Sequence, residues 1–348
     1  MTDKIKKILD ATWSLCEPFA KSTDFDSHVE TKVVYDEGLF VKDPVVSVLV
    51  LTWRHENFIE ECVNSICAQL TGFSFEVLIG EDASPDRTLD ICLALQKRYP
   101  EQVKVIYSKE NVGLVGNMVR LNKMARGEYV AICEGDDYWV DTRKLEKQVA
   151  LLKEHNEVSL VHMGVWQQYE KCKWSRCPVA HKTIKRILDT NLLSATRQRI
   201  LMLVQGNYIQ TPTVMCRKIA FTKACEDLVA VERITHWIPS TDFMLWFFTM
   251  QHGSSYFIPD IVAVKRINGT SLTTIKDGKV ANARILGDKR NALVMAEKDG
   301  FREDDVFKLI SSLENAVARY NYEGRRNSVK MGPVHLLLKR VVLMLTRL

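Results

Sequence analysis

The chain has 348 residues, of which 46% are hydrophobic and 26% are charged. This composition is typical of a soluble globular protein, and the length suffices for one large domain or two modest ones. The formal net charge of +5 is small and dispersed, so it does not favour nucleic-acid binding. The nine cysteines are scattered and odd in number, which predicts free thiols in a reducing compartment such as the cytoplasm.

Residues 1–43 are predicted to be a polar leader with one helix over residues 4–19. The lysine-rich start leads into acidic residues rather than an apolar stretch, so it is not typical of a secretory signal. No run of about 18 apolar residues occurs, and no membrane-spanning helix is expected.

Short apolar runs alternate with helical patterns from residue 44 onward. Strands are predicted at Val45–Leu51, Glu76–Gly80, Val103–Tyr107 and Tyr129–Cys133. Helices are predicted at Ile59–Gln69, Arg87–Tyr99, Val115–Met124 and Thr142–Glu154. Repeated strand–helix units of about 30 residues predict an α/β fold with a mostly parallel sheet flanked by helices. Ligands on such sheets bind beyond the carboxyl ends of the strands, where we therefore expect the site.

The second half of the chain is less regular. Strands are predicted at Gln210–Cys216 and Tyr256–Val264, and a short buried helix at Phe243–Met250. Residues 276–330 are predicted to be helical, and residues 331–348 form a basic amphipathic tail.

Two acidic clusters follow predicted strands. Glu81-Asp82-Ala83-Ser84-Pro85-Asp86 comes after the second strand, and Glu134-Gly135-Asp136-Asp137 after the fourth. Taken singly, each cluster is equally typical of an ordinary turn or a helix cap. At matching strand ends they should converge, and converging carboxylates raise each other's pKa unless a cation neutralises them. Oxygen-rich clusters of this kind suit Mg²⁺ or Mn²⁺.

In these segments the chain resembles glycosyltransferase family two, whose members have the GT-A fold. The matching text is VSVLVLTWRHENFIEECVNSI, then VLIGEDASPDRT, then KENVGLVGNMVRLNKMARGEYVAICEGDDYW. The motifs stand in the family's order, and the resemblance covers roughly residues 45–273. It implies a catalytic domain over residues 44–275.

The resemblance also implies a pocket for the donor nucleotide. Glu81 and Asp82 would hold its base and ribose, with Thr52 and Arg54 lining the same pocket. Asn111 belongs to the matching Asn-Val-Gly and is assigned to the donor as well.

The family's Asp-x-Asp corresponds to Glu134 and Asp136. The resemblance implies that Asp136 is the direct ligand of a divalent metal, Mn²⁺ or Mg²⁺. Glu134 would lie nearer the ribose or a metal-bound water, and Asp137 would be supporting.

The family also places a catalytic Asp at the start of a later helix. The candidate here is Asp242, although a lone acid at that position is commonly a residue favoured by the helix dipole. Arg266, in the strand and basic turn that follow, is expected to reach the diphosphate. The chain departs from the family at Thr52-Trp53-Arg54, at Thr241 and at Asn268, and these departures bear on the acceptor and on a second metal contact.

Together these features predict an inverting, metal-dependent transferase that adds one sugar from a nucleotide diphosphate donor, with UDP favoured by family habit. The acceptor is expected to be a saccharide or lipid-linked glycan of surface polysaccharide synthesis. The tail would allow peripheral contact with the cytoplasmic face of a membrane, or it would pack on the catalytic domain or on a second copy of the chain.

Two other functions remain open on the sequence. A sugar-phosphate nucleotidyltransferase would need a glycine-rich loop after the first strand, where this chain has Trp53-Arg54-His55-Glu56-Asn57. A non-catalytic nucleotide-sugar-binding module would have no need of acids at all three positions.

Overall fold

The computed structural model describes residues 30–169, 172–175, 190–235, 238–267, 283–288 and 290–291. The strands, β1 to β10 in chain order, are Thr31–Val34, Val46–Thr52, Phe75–Glu81, Val103–Ser108, Tyr129–Glu134, Tyr138–Trp139, Val158–Tyr169, Cys172–Ser175, Met215–Arg217 and Ser254–Ile267. The helices, α1 to α7, are Ile59–Cys67, Thr88–Arg98, Gly113–Met124, Lys144–Glu154, Ala195–Gln205, Lys218–Thr235 and Thr241–Thr249. Residues 283–288 are also helical.

All the strands of the described residues belong to one mixed sheet. Its order is β1-β4-β3-β2-β5-β9-β7-β10-β6, and β8 pairs with β7. Strands β4, β3, β2 and β5 are parallel neighbours, as the strand–helix alternation predicts. The second half of the sheet is different, because β9 runs antiparallel to both β5 and β7, and β6 antiparallel to β10.

The apolar runs form strands because both faces of the sheet are covered. Leu49 and Leu51 of β2 face a core that includes residues of α3, α6 and α7. Val48 and Val50 face the opposite core, with residues of α1, α2 and α4. Successive side chains of a strand alternate between faces, so a strand buried on both sides reads as a continuous apolar run.

The eight elements predicted between residues 45 and 154 are present, with ends within two residues of the prediction. The predicted strand Gln210–Cys216 is wrong in most of its length. Thr211–Thr213 is a 3₁₀ turn around Pro212, and only Met215–Arg217 pairs in the sheet. Proline has no backbone N–H to donate to a strand ladder, which explains the difference.

The predicted polar leader also differs in part. Thr31–Val34 pairs antiparallel with β4, and the side chain of Phe40 is buried in the core, so this part of the segment is joined to the sheet. The predicted helix over residues 4–19, most of the helical region 276–330, the tail 331–348 and Asn268 lie outside the described residues. None of the described helices is long and apolar enough to cross a membrane. The described cysteines at positions 62, 67, 92, 133, 216 and 225 are free thiols.

An ion pair between a buried carboxylate and a partly exposed arginine joins the strands at the end of the sheet opposite the acidic clusters. Glu76 is fully buried, and its Oε2 accepts from Arg126 Nη2 at 2.8 Å. Its Oε1 accepts from Ser47 Oγ at 2.7 Å and from the Arg126 backbone N at 2.8 Å. One carboxylate therefore connects β2, β3 and the turn before β5.

Replacing Glu76 by Gln is expected to lower the free energy of unfolding by about 2 kcal/mol, because it removes the charge of a fully buried carboxylate that accepts several hydrogen bonds. Urea unfolding measures this loss. The matched control is Glu60→Gln, since Glu60 pairs with Arg98 at 2.8 Å where both side chains are more than half exposed. An exposed pair contributes less than about 1 kcal/mol. Equal losses of unfolding free energy in the two variants would contradict the conclusion that the buried carboxylate of Glu76 stabilises the fold more than an exposed ion pair does.

Candidate functional site

The two acidic clusters meet at the carboxyl end of β2. Strand β2 lies between β3 and β5, with Thr52 opposite Glu81 and Leu51 opposite Glu134. The turns that follow β3 and β5 therefore emerge on either side of Thr52. The convergence predicted from the strand ends is present.

The turn after β3 holds two buried acids. Glu81 is fully buried, and its Oε1 accepts from the Ser84 backbone N at 2.8 Å. Its Oε2 is buried and has no hydrogen-bond partner among the described residues. Asp82 Oδ1 accepts from the Val112 backbone N at 2.8 Å, and its backbone O accepts from Asn111 Nδ2 at 2.8 Å. Burial raises the pKa of Asp82, against the opposing effect of that Val112 N–H.

A buried arginine beneath this turn was not predicted from the sequence. Arg120 on α3 donates from Nη2 to the backbone O of Glu81 at 2.8 Å, and from Nη1 to Ser108 Oγ at 2.9 Å. The same Nη2 lies 3.9 Å from Asp82 Oδ1. Burial lowers the pKa of Arg120, and the nearby Asp82 and Glu81 oppose that shift. This guanidinium fixes the turn and offsets its negative charge.

The loop after β2 places Trp53 and Arg54 at the surface. Trp53 is 44% exposed, and the Arg54 guanidinium carbon lies 4.5 Å from the centre of its ring. Arg54 has a φ of 59°, which is uncommon for a residue with a side chain. Its backbone N donates to Ser84 Oγ at 3.0 Å, which ties this loop to the turn after β3.

His55 connects this loop to the other acidic turn, and it too was not singled out from the sequence. Its Nδ1 lies 3.2 Å from Thr52 Oγ1, and its Nε2 lies 4.0 Å from Asp136 Oδ1. Burial lowers the pKa of His55, although Asp136 and Asp86 act in the opposite direction. A Cβ on Gly135 would come within 2.7 Å of both His55 Nδ1 and Thr52 Oγ1. This close approach requires glycine between the two acids.

The acidic turn after β5 is strongly negative. Burial raises the pKa of Glu134 to about 7; Lys265 opposes this shift, and Asp136 and Asp242 add to it. Burial also raises the pKa of Asp137 well above its ordinary value. Asp137 Oδ1 accepts from the Arg266 backbone N at 2.8 Å, while Oδ2 is buried without a partner among the described residues. Asp137 thus joins the turn to β10.

Asp242 lies in the first turn of α7, close enough to the acidic turn after β5 for its charge to act there. Its Oδ2 accepts from Asn207 Nδ2 at 2.9 Å, and its Oδ1 accepts from the Phe243 backbone N at 2.8 Å. Its charge acts on Glu134, so the two carboxylates are electrostatic neighbours although they are far apart in sequence. The structure therefore brings Asp242 together with the acidic turn.

Residues 283–288 pack behind the start of α7. Arg284 donates from Nε and Nη2 to the backbone O of Pro239, at 3.0 and 2.7 Å. Burial raises the pKa of Asp288 to about 7, which a hydrogen bond with Ser240 opposes and Asp242 reinforces. The segment that precedes Asp242 is thus fixed by hydrogen bonds from residues 283–288.

The side chain of Arg266 contacts the acidic turn directly. Its Nη1 donates to the backbone O of Asp136 at 2.6 Å, and its Nη2 pairs with Glu61 on α1. Its guanidinium carbon lies 4.4 Å from the centre of the Tyr138 ring. Only 12% of this side chain is exposed.

The donor set suits a hard divalent cation that is shared with a ligand. Among the described residues, no three His, Cys, Asp or Glu side chains are grouped so as to hold a metal ion by themselves. Mg²⁺ in particular is commonly held by one or two carboxylates, and substrate phosphates and water complete its shell. Asp136 and Glu134, with the partnerless Oδ2 of Asp137 beside them, fit that arrangement.

Comparison with known proteins agrees with this geometry. The family described as glycosyl transferase family 2 matches residues 47–219. An uncharacterized protein of Mycobacterium tuberculosis (strain H37Rv) is 36% identical over 174 residues, 50% of this chain and 47% of its own. TuaG of Bacillus subtilis (strain 168), whose name assigns it provisionally to teichuronic acid biosynthesis, is 34% identical over 113 residues, 32% of this chain and 44% of its own. The chain thus spans about half the length of these curated relatives.

A solved structure supports the fold. The mannosyltransferase PcManGT from Pyrobaculum calidifontis, in complex with GDP-Man and Mn²⁺, matches over 98% of this chain and 91% of its own, with a TM-score of 0.52 and 15% identity. At that identity the likeness establishes the GT-A fold alone. Over residues 47–219, this chain belongs to glycosyl transferase family 2.

Proposed function

We propose that this protein moves a single sugar from a nucleoside diphosphate donor, a UDP-sugar by family habit, to an acceptor hydroxyl with inversion at the anomeric carbon. The observation that carries the proposal is the convergence of the two acidic turns at the carboxyl end of β2, with Asp242 of α7 close enough for its charge to act on Glu134. A general base for the acceptor and the acids assigned to the donor diphosphate thereby share one site.

The donor nucleotide is proposed to bind between the two acidic turns. Glu81, Asp82 and Asn111 would contact its base and ribose, together with Thr52 and Arg54 of the loop after β2. The buried Oε2 of Glu81, which has no partner among the described residues, is an acceptor suited to a donor N–H or O–H of the ligand.

Asp242 is proposed to accept the proton of the acceptor hydroxyl as that oxygen attacks the anomeric carbon. Two N–H groups, from Asn207 and Phe243, hold its carboxylate in one orientation. The bond to the diphosphate breaks on the opposite face of the sugar, which inverts the configuration. A transition state of this kind has oxocarbenium character, as in glycoside hydrolysis.

A divalent ion, Mn²⁺ or Mg²⁺, bound through Asp136 and Glu134 would neutralise charge that develops on the leaving diphosphate. Asp136 is the proposed direct ligand, with Asp137 joining the turn to β10. The PcManGT structure is a complex with GDP-Man and Mn²⁺, which supports a divalent ion in this proposal.

The proposed acceptor is a saccharide or lipid-linked glycan of surface polysaccharide synthesis. The name of the relative TuaG, which refers to teichuronic acid biosynthesis, supports an acceptor that belongs to polysaccharide synthesis. A lipid-linked acceptor would also suit an enzyme that touches the cytoplasmic face of a membrane.

Release of nucleoside diphosphate from a panel of UDP-, GDP- and dTDP-sugars, with and without Mn²⁺, tests the proposal. A transferase with a suitable acceptor releases nucleoside diphosphate, whereas a sugar-phosphate nucleotidyltransferase releases pyrophosphate from a nucleoside triphosphate. A donor that binds tightly but is never consumed, with any acceptor of a broad saccharide and glycolipid panel, would indicate a non-catalytic binding module.

Membrane contact is proposed for the tail, whose sequence PVHLLLKRVVLMLTRL spans residues 333–348. A short basic amphipathic segment is attracted to anionic lipid at the membrane interface. Deleting residues 333–348 is expected to abolish flotation of the protein with anionic liposomes. Flotation of the truncated protein at the level of the intact one, or no flotation of either, would contradict the proposal.

A further inference from the structure

The start of α7, which holds Asp242, lacks the hydrogen bond that commonly fixes the first turn of a helix. Ser240 precedes the helix, and a serine at that position commonly accepts a hydrogen bond from a backbone N–H of the first turn. The Ser240 side chain makes no such bond. The Phe243 backbone N donates to Asp242 Oδ1 instead, at 2.8 Å. Contacts from other segments of the chain are therefore needed to hold this turn in place.

The helical segment 283–288 supplies such contacts. Arg284 donates from Nε and Nη2 to the backbone O of Pro239, at 3.0 and 2.7 Å. Asp288 accepts hydrogen bonds from the backbone and the side chain of Ser240. Residues four apart on a helix lie on the same face. One face of this segment thus binds the two consecutive residues that lead into α7.

The segment 283–288 is itself fixed in the core. Ala283 and Leu286 are fully buried, and Leu286 belongs to the same core cluster as Phe243 and Met244 of α7. The backbone of Arg284 is therefore anchored on both sides by buried residues. This segment lies beyond residues 47–219, which match the family.

The position of the Asp242 carboxylate depends on these contacts. Pro239 comes only three residues before Asp242, and the backbone O of Ser240 accepts from Met244 N at 3.2 Å, which begins the helix. On the other side, Asn207 Nδ2 donates to Asp242 Oδ2 at 2.9 Å. Asn207 orients the carboxylate, while the contacts at Pro239 and Ser240 set where the helix that carries it begins.

We propose that Arg284 is a positioning residue for sugar transfer. By binding the backbone O of Pro239, it holds the start of α7 so that the Asp242 carboxylate meets the acceptor hydroxyl, and Asp288 supports it at Ser240. A segment outside the family match would thus complete the site. This inference rests on the proposed function, because it assumes that Asp242 is the general base.

The alternative is that Arg284 only stabilises the fold. The two roles predict different results for the folded enzyme. A purely stabilising residue lowers the urea midpoint of unfolding and leaves the turnover of the folded protein unchanged. A positioning residue lowers turnover while the affinity for the nucleoside diphosphate, which is proposed to bind between the acidic turns, stays the same.

Arg284→Met tests the inference in the full-length chain. Turnover is expected to fall by about ten- to hundredfold, since a displacement of about 1 Å can cost a factor of about a hundred. The affinity for UDP or GDP, measured by calorimetry, should change by less than about twofold, because no diphosphate or base contact is assigned to Arg284. Arg284→Lys, which keeps an N–H donor for Pro239, should restore part of the turnover. Arg284→Gln replaces Arg284→Met should the latter not fold.

The matched control is Arg98→Met. Arg98 pairs with Glu60 at 2.8 Å, but its side chain is 52% exposed and lies on α2. Neither turnover nor nucleoside diphosphate affinity should change by more than about twofold, because an exposed pair contributes little.

A double-mutant cycle shows whether Arg284 acts through Asp242. Once Asp242→Asn has removed the base, adding Arg284→Met should lower the remaining turnover by less than about twofold, since residues that act together are not additive. The same fold loss in both backgrounds would overturn the inference, as would unchanged turnover in Arg284→Met. An equal loss of nucleoside diphosphate affinity would also overturn it, because the defect would then not be confined to the base.

Failure of this inference is distinguishable from failure of the proposed function. A wild-type protein that transfers sugar, and that loses turnover in Asp242→Asn but not in Arg284→Met, would refute only the role of Arg284. A wild-type protein that transfers no sugar from any donor would refute the proposed function and this inference with it.

Discussion

Asp136→Ala is expected to lower sugar transfer by about a thousandfold or more, since charge stabilisation by a bound metal contributes several kcal/mol to such a transition state. The fold should survive the change. The Asp136 side chain is at the end of a strand and 16% exposed, and Arg266 contacts its backbone O, which alanine retains. Turnover measured with saturating donor and Mn²⁺ checks the first expectation, and urea unfolding checks the second.

The matched control for this variant is Asp260→Ala. Asp260 is also an acid of the sheet, in the middle of β10, but it pairs with Lys147 at the surface and is 46% exposed. Its removal should leave turnover within about twofold, because an exposed pair contributes less than about 1 kcal/mol to stability and lies outside the site. Near-normal turnover of Asp136→Ala with Mn²⁺ present would show that the metal is bound elsewhere.

The sequence predicts best those site residues whose position follows from the local pattern of apolar and polar residues. The apolar runs that end at Thr52, Glu81 and Glu134 identify β2, β3 and β5, and parallel neighbours bring their carboxyl ends to one edge of the sheet. The acids that follow those runs are therefore adjacent for reasons that periodicity and turn chemistry supply. Asp242 depends on family resemblance, since nothing local relates α7 to β5.

The residues that the sequence does not reveal are those placed by long-range packing. Arg120 lies within an apparently amphipathic helix, and only the fold shows that its guanidinium reaches under the turn after β3. His55 lies close to the acidic turn only because residue 135, far away in the sequence, is a glycine. A side chain at Gly135 would collide with His55 and Thr52, so the loop after β2 could not approach the turn after β5. Arg266 is one of two neighbouring basic residues in the sequence, and only the fold shows that its guanidinium contacts both the acidic turn and Glu61 of α1.

The strands and helices likewise divide into those that local sequence predicts and those that depend on distant partners. The strand–helix units between residues 45 and 154 are local, and they form as predicted. In the second half, the predicted strand Tyr256–Val264 lies within β10 and the predicted helix Phe243–Met250 corresponds to α7, whereas the predicted strand Gln210–Cys216 is wrong over most of its length. Strand β9 has only three residues, and it is stabilised by pairing with β5 and β7 on either side. A short window of sequence contains no information about these distant partners.

Asp242 is the residue on which the proposed chemistry depends most directly. Its carboxylate has two hydrogen-bond donors, Asn207 Nδ2 and the Phe243 backbone N, which leave further lone pairs for an acceptor hydroxyl. The charge of Asp242 acts on Glu134 of the acidic turn, and under the proposed function the donor would bind on that side of Asp242.

Asp242→Asn is expected to lower turnover by about a hundredfold or more, the usual contribution of general base catalysis, because an amide cannot take the proton. Donor affinity, measured by calorimetry with nucleoside diphosphate, should change little. The control is Asn207→Ala, which removes one of the two donors that orient the carboxylate but keeps the carboxylate itself. It should lower turnover less than Asp242→Asn does. A variant Asp242→Asn that loses donor affinity while keeping its turnover would place Asp242 in the donor pocket, and another residue would have to be the base.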